Sequence, residues 1–522
     1  MERVRWLATE RWEGRVHESE RPVRDSGGVH ARRSRRAARA GVRAVIVAWK
    51  RSNVRGAKGR RKVDRVTDTP TQVQPALVSA MAKQVGETPA RWAWVEATVW
   101  TERMLTALEH GVKGGVWFSL MDKVERPANL RSAFAKVKAN GGSAGIDHQT
   151  VAMYAKNLEA NLAELSEQLR KSTYRPQVIR RVYIPKPGSA EKRPLGIPTV
   201  RDRVVQAALR QVIEPIFERD FAEQSYGFRP GRGCKDALRR VDELLKAGYG
   251  YVVDVDLKSY FDTIPHLELM NRVRTRIADG RVLRLIESFL TQGVMEEMRT
   301  WTPTAGSPQG AVISPLLSNI YLDPLDHEMA ERGYEMVRYA DDFVILCRSR
   351  EDSETALHYV ETWTTRAGLT VHPTKTRIVN LNEPGGFDFL GYHFERDRRN
   401  PSRILRWPRD KSQRKLKDTL RARTPRLCGV SLRTIIARLN PTLRGWYEYF
   451  RHTNVATVFP QLDGWLRRRL RRILLKRHRR TRHNGLGTAH QRWPNAYFAK
   501  LGLFSLTRAH ALVFQPAKAV NH

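Results

Sequence analysis

Cysteine is scarce in this chain of 522 residues: Cys234, Cys347 and Cys428 lie far apart and form no CxxC pair. That excludes a disulfide framework and a cysteine-based zinc finger, and it fits a reducing compartment. No run of 18 apolar residues occurs, so no segment is expected to cross a bilayer. Acid is also short: 54 Asp plus Glu face 93 Lys plus Arg, a formal charge of +39. Such an excess suits a polyanion, with nucleic acid as first candidate and a membrane surface as second. No internal repeat is visible, which removes solenoids and propellers. The short apolar patch "AVIVAW" runs at once into Lys50 and Arg51, so it reads as part of a basic segment and not as an export signal.

What the chain does have is enough apolar residues, 41%, for a substantial core. Five regions are expected. Residues 1–78 are basic, rich in Gly, Ser and Arg and without periodicity, and read as a disordered extension. Residues 79–170 carry helical spacing, ending in "YAKNLEANLAELSEQLRKSTYRP", which Pro176 is expected to stop. Residues 171–395 alternate strands and helices, with "YVVDVDL", "YADDFVILC" and "FDFLGYHF" the clearest strands. Residues 396–480 become helical and very basic, and residues 481–522 form a basic C-terminal segment. In "LDGWLRRRLRRILLKRHRR", Leu466, Leu470, Ile473 and Leu474 fall on one helical face and arginines on the others.

Within the alternating region, "VRYADDFVIL" (337–346) places two carboxylates side by side inside a β-forming run. Asp is depleted in strands, and neighbouring carboxylates repel unless something neutralises them. An acidic hairpin turn would explain "DD" alone. A metal site would explain it better if a third carboxylate arrived from elsewhere. "YVVDVDLKSYFDTIPH" (251–266) offers one, with Asp254 and Asp256 on a short strand before a helix-like turn. Three carboxylates on adjacent strands would supply oxygen ligands for two Mg²⁺ ions, which clamp the attacking and leaving oxygens of a phosphoryl transfer.

These motifs resemble the catalytic core of reverse transcriptases, and more widely the group II intron reverse transcriptase/maturases of bacterial type. "SPQGAVISPLLSNIYLDPLD" (307–326) is similar to that family's block before the YADD hairpin, and "VHPTKTRIVN" (371–380) and "FDFLGYHF" (387–394) to the two blocks after it. "YIPKPGSAEKRPLGIPTVRDRVVQAAL" and "SYGFRPGRGCKDAL" resemble the fingers blocks, and "ARLNPTLRGWYEYFRH" (437–452) the maturase, or thumb, signature. Seven motifs in order span roughly residues 90–510.

The resemblance implies an α+β right-hand polymerase, with fingers and palm built on antiparallel sheet, followed by an all-helical thumb/maturase domain. Asp256, Asp341 and Asp342 match the metal-binding, catalytic aspartates. Asp256 is preferred to Asp254 because the family places this residue six positions before the Asp of "FD", here Asp262. Lys186 and Arg193, with Lys192 as the alternative to Arg193, resemble the residues holding the incoming triphosphate. Phe261, with Tyr260 as its alternative, matches the aromatic under the deoxyribose, and Gln309 and Gly310 match the nucleotide pocket. Lys375 and Gly391 match positions near the primer. Trp446 and Phe450 are expected in a helix core. Arg467, Arg468, Arg469, Arg471, Arg472, Lys476 and Arg477 are the RNA-binding candidates, since a row of cations tracks a phosphate backbone.

The implied activity is RNA-directed DNA synthesis with two Mg²⁺ ions. The implied partners are the parent group II intron RNA, an RNA template with DNA primer, target DNA and dNTPs, in a bacterial, nucleoid-associated cytoplasm. A splicing cofactor with an idle polymerase site, or a reverse transcriptase domesticated for defence or repair, are the alternatives. The segment ending at His522 lacks the cysteines of the endonuclease that many relatives carry, so no endonuclease is expected.

Overall fold

The computed structural model describes residues 90–112, 114–185, 192–297, 299–425, 429–478 and 486–514. The leader 1–78, Lys186, Cys428 and the tail 515–522 lie outside the described residues, as do parts of the 79–170 and 481–522 segments. The described chain is mixed α+β. Its strands form three sheets, of four, four and three strands.

The first sheet comprises β1 (Ile179–Pro185), β2 (Lys192–Ile197), β4 (Val294–Glu296) and β5 (Arg299–Trp301). It is antiparallel except where β1 runs parallel to β4. The principal helices of this half are α1 (Pro127–Asn140), α2 (Val200–Glu218), α3 (Cys234–Lys246) and α4 (Ser314–Glu331). Thr199 caps α2 by accepting from the Asp202 N–H. Nearly every side of α2 is buried, so it serves as the central helix of this half.

The second sheet is antiparallel throughout: β6 (Glu335–Tyr339), β7 (Asp342–Cys347), β3 (Tyr251–Asp256) and β8 (Arg377–Asn380). Its side chains alternate between two cores, as the pleat requires. Val253, Val255, Met336, Phe343 and Ile345 enter one core with α1, α2 and α4. Val252, Val337, Val344 and Leu346 enter a second core, shared with α3 and the C-terminal helices. Because both faces are covered, β7 is buried along its whole length, which explains its unbroken apolar run.

The third sheet joins β9 (Phe387–Phe389), β10 (Tyr392–Arg396) and β11 (Ile404–Pro408). Strand β11 falls inside the region expected to be helical. Five residues with arginine between the apolar ones give little strand signal alone, and pairing along β10 supplies the structure. Beyond it come α5 (Asp410–Arg423), α6 (Leu432–Phe450) and α7 (Val458–Arg477), with shorter helices after them. The helical stretch expected to stop at Pro176 is broken at Asn157 and ends at Arg170, because Ser172 turns to φ +57°.

Candidate active site

The β6–β7 hairpin turns on Ala340 and Asp341, with Tyr339 paired to Asp342. Two-residue hairpins need a positive φ in the turn, and Ala340 takes φ +60°, a value alanine seldom adopts. Strand β3 lies beside β7 with Asp256 directly opposite Asp342. Cross-strand partners point to the same face. Asp256, Asp254 and Asp342 therefore share the face that bears Val252, Val344 and Leu346, which turns toward the C-terminal helices.

That face opens into a cleft of about 300 Å³. Asp254, Asp256 and Asp342 form one wall; Thr374, Lys375 and Arg377 lead into β8; Asp388, Leu390, Gly391 and Arg409 close the far side. Each outer carboxylate has a cation. Lys375 Nζ donates to Asp256 Oδ2 at 2.8 Å, Arg377 lies 3.7 Å from Asp254, and Arg409 lies 3.8 Å from Asp388. Asp254, passed over in favour of Asp256 on the sequence pattern, thus lines the same cleft.

The donor set suits a hard divalent cation: carboxylate oxygens gathered on adjacent strands, with a lysine ammonium already drawn to one of them. Among the described residues, however, no three His, Cys, Asp or Glu side chains are gathered closely enough to hold a metal ion as they stand. The arrangement is a facing pair, Asp256 and Asp342, with Asp341 next to them on the turn.

The expected nucleotide residues converge from four segments. Gly196 of β2 donates its N–H to the Gln309 carbonyl at 2.7 Å. Gly310, at φ +110°, packs so closely on the Gly196 carbonyl and Leu195 that a Cβ there would collide with them. Ser307 N–H donates to the Phe261 carbonyl at 2.7 Å, tying the "SPQG" loop to the turn after β3. Burial pushes the Asp262 carboxyl above its usual range, against the opposing charges of Arg181 and Arg193. Lys192 is exposed at the strand end and Arg193 is half-buried. Phe261 is half-buried against both cores. Tyr260 is 2% exposed and donates to the Ser318 carbonyl at 2.7 Å, so it is committed to the interior.

On the primer side, Leu390 and Gly391 both take positive φ, +47° and +85°, making the tight turn between β9 and β10. Tyr449 Oη of α6 donates to the Leu390 carbonyl at 2.5 Å, and Ser412 Oγ of α5 to the Gly391 carbonyl at 3.0 Å. The aromatic signature on α6 is interior, with Trp446 7%, Tyr447 3% and Phe450 0% exposed.

The arginine row on α7 divides, and here the expectation needs correction. Arg471 is 2% exposed, donates Nε to the Trp493 carbonyl at 2.9 Å and Nη2 to Asn495 Oδ1 at 2.9 Å, and lies over the Phe498 ring. It is an interior strut and is not available to RNA. Arg469 is largely engaged at the end of α5, donating to the Arg421 and Thr424 carbonyls. Arg467 pairs with Asp463 at 3.2 Å, and Arg477 is exposed and donates to the Val430 carbonyl. Arg468, Arg472 and Lys476, four residues apart, form an exposed stripe.

Sequence reading missed Arg338, Asp326, Gly227 and Arg409. The signal for the first was a charged residue between the apolar Val337 and Tyr339 of β6; the others carried none without their spatial neighbours.

Two family models and several known proteins match parts of this chain. The family model for reverse transcriptase (RNA-dependent DNA polymerase) matches residues 184–394. The model for the group II intron, maturase-specific domain matches residues 413–493. Protein YkfC of Escherichia coli (strain K12) is 35% identical over 293 residues, 49% of this chain and 76% of that protein. The group II intron-encoded protein LtrA of Lactococcus lactis subsp. cremoris is 37% identical over 203 residues, 38% of this chain but 33% of LtrA. Among solved structures, a partial Cas6-RT-Cas1–Cas2 complex matches at 26% identity, covering 47% of this chain and 41% of that chain with a TM-score of 0.32.

Proposed function

Because this chain belongs to the family of group II intron-encoded reverse transcriptase/maturases, we propose that it copies RNA into DNA at the β3–β7 cleft and binds its parent intron RNA. The observation that carries the reading is the register that sets Asp256 opposite Asp342, with Asp341 on the adjoining turn.

The reaction joins a primer 3′-oxygen to the α-phosphate of a dNTP, and pyrophosphate leaves. Asp256, Asp341 and Asp342 are the residues that would hold the Mg²⁺ ions, once drawn together by the cations themselves. When bound, those ions stabilise charge on the attacking and leaving oxygens. Lys375 neutralises Asp256 until then. Arg193 offsets the triphosphate charge, and Lys186 is its proposed partner. Phe261 limits the space beside the sugar, and Gln309 and Gly310 present backbone to the nucleotide. Gly391, buttressed by Ser412 and Tyr449, supports the primer strand.

The maturase-domain match and the Arg468–Arg472–Lys476 stripe support a binding role that needs no aspartate. The test is primer extension on an RNA template with dNTPs and Mg²⁺, comparing the parent with Asp341→Ala/Asp342→Ala. Extension is expected from the parent alone, while both proteins bind intron RNA and assist its splicing. A folded, RNA-binding parent that extends nothing would leave a splicing cofactor with an idle site.

A further inference from the structure

The turn that carries Asp341 is strained at Ala340, and one buried side chain reaches the Ala340 carbonyl. Arg338 occupies the strand position opposite Phe343, on the face of the sheet away from Asp342. Its side chain is 0% exposed, as is that of Asp326. A guanidinium has five N–H donors, and all five are used. Nε donates to Asp326 Oδ1 at 2.7 Å, and Nη2 donates to Asp326 Oδ2 and to Ser225 Oγ. Nη1 donates to Asn319 Oδ1 at 3.0 Å and to the carbonyl of Ala340 at 3.1 Å. The last bond reaches the residue at φ +60° that immediately precedes Asp341.

The surroundings brace the same turn. Asn319 Nδ2 donates to the Gly227 carbonyl at 2.8 Å, and Gly227 lies so close to Ala340 that a Cβ would collide with its backbone. The Tyr226 N–H donates to the Arg338 carbonyl at 2.8 Å. We infer that Arg338 is a positioning residue for synthesis: by gripping the Ala340 carbonyl it fixes where the Asp341 and Asp342 carboxylates stand. A bare ion pair with Asp326 would need only two of its five donors. The inference rests on the polymerase function proposed for the β3–β7 cleft.

Two variants test it. Arg338→Lys keeps the charge beside Asp326 but cannot also span to Asn319 and Ala340. Arg338→Leu/Asp326→Leu removes both buried charges, so stability is expected to return toward the parent's while the grip stays lost. Both are followed by unfolding temperature, primer-template affinity, kcat for extension and Mn²⁺ affinity by electron paramagnetic resonance. The expected result is unchanged primer-template affinity, a kcat lower by about 100-fold and Mn²⁺ binding weaker by about tenfold. Adding Ala340→Gly to Arg338→Lys relieves the left-handed strain and should recover part of the rate. Parental kcat and Mn²⁺ affinity in folded variants, or a loss confined to folding, would return Arg338 to a purely structural role. If the parent itself extends no primer, the polymerase reading fails, and Mn²⁺ affinity still decides the role of Arg338.

Discussion

Lys375 sits 2.8 Å from Asp256 while its own side chain remains 57% exposed. An ion pair that open to water contributes at most about 1 kcal/mol. It is strong enough to blunt the repulsion between Asp256 and Asp342, and weak enough to yield to a divalent cation. Lys375→Met is therefore expected to change stability little. It should tighten Mn²⁺ binding in the absence of nucleic acid by up to about fivefold, the equivalent of that 1 kcal/mol. A titration showing unchanged or weaker binding would mean that the ammonium does not compete for the carboxylate. Arg338, by contrast, cannot yield, because it is wholly buried and each of its donors is spent. The two residues lie on opposite faces of one sheet, and their exposure separates the adjustable charge from the fixed one.

Among the elements, α4 links the nucleotide loop to the frame beneath the hairpin. Its N-terminal end comes shortly after "SPQG", and further along it carries Asn319, Asp323 and Asp326. Burial, and then the negative charge of Asp326, push the Asp323 carboxyl up to about 6. The ordinary value is 3.8, so between about pH 4 and 6 the folded protein holds a proton that the unfolded chain has released. Stability from this group is present at the acid end and is lost as pH rises through that window, by up to about 1.4 kcal/mol per pH unit. Asp323→Asn keeps an acceptor for the Ala222 N–H and cannot ionise. Relative to the parent, the variant should gain stability from pH 4 to 6 and hold the gain above, as read from urea midpoints. A constant difference across that range would show that Asp323 ionises as an ordinary carboxylate. The meeting of the site motifs was legible in the sequence because motif, strand and turn signals coincide: "VVDVD", "YADD" and "FLGY" are each local, and the sheet brings their residues to one cleft. Their supports were not. Arg338 is completed by Ser225, 113 residues earlier, and by Asn319 and Asp326 on a helix. No periodicity encodes such a meeting, and β11 likewise exists only because β10 lies beside it.

For the molecule as a whole, a charge of +39 guarantees attraction to nucleic acid but does not say which cations touch it. The α7 row shows the difficulty. Helical spacing correctly put Leu466, Leu470, Ile473 and Leu474 inside, yet Arg471 lies inside as well. The reason is a second packing surface: Trp493 and Phe498, from the chain beyond residue 485, cover that flank and supply a carbonyl and a ring to the guanidinium. A single-helix pattern cannot register a partner that arrives later in the chain. The outcome separates two substitutions that look alike in sequence. Arg468→Gln/Arg472→Gln/Lys476→Gln removes three exposed cations on one face. Each phosphate contact contributes about 0.7–0.9 to the slope of log affinity against log salt. The triple variant should therefore bind intron RNA with a slope shallower by about 2–3 and unfold as the parent does. Arg471→Gln should leave the slope unchanged and lower stability by about 2 kcal/mol, through lost charge-assisted bonds to the Trp493 carbonyl and Asn495. A parental slope in the triple variant would mean that the stripe faces only water, and that RNA is gripped by other basic surfaces of the chain.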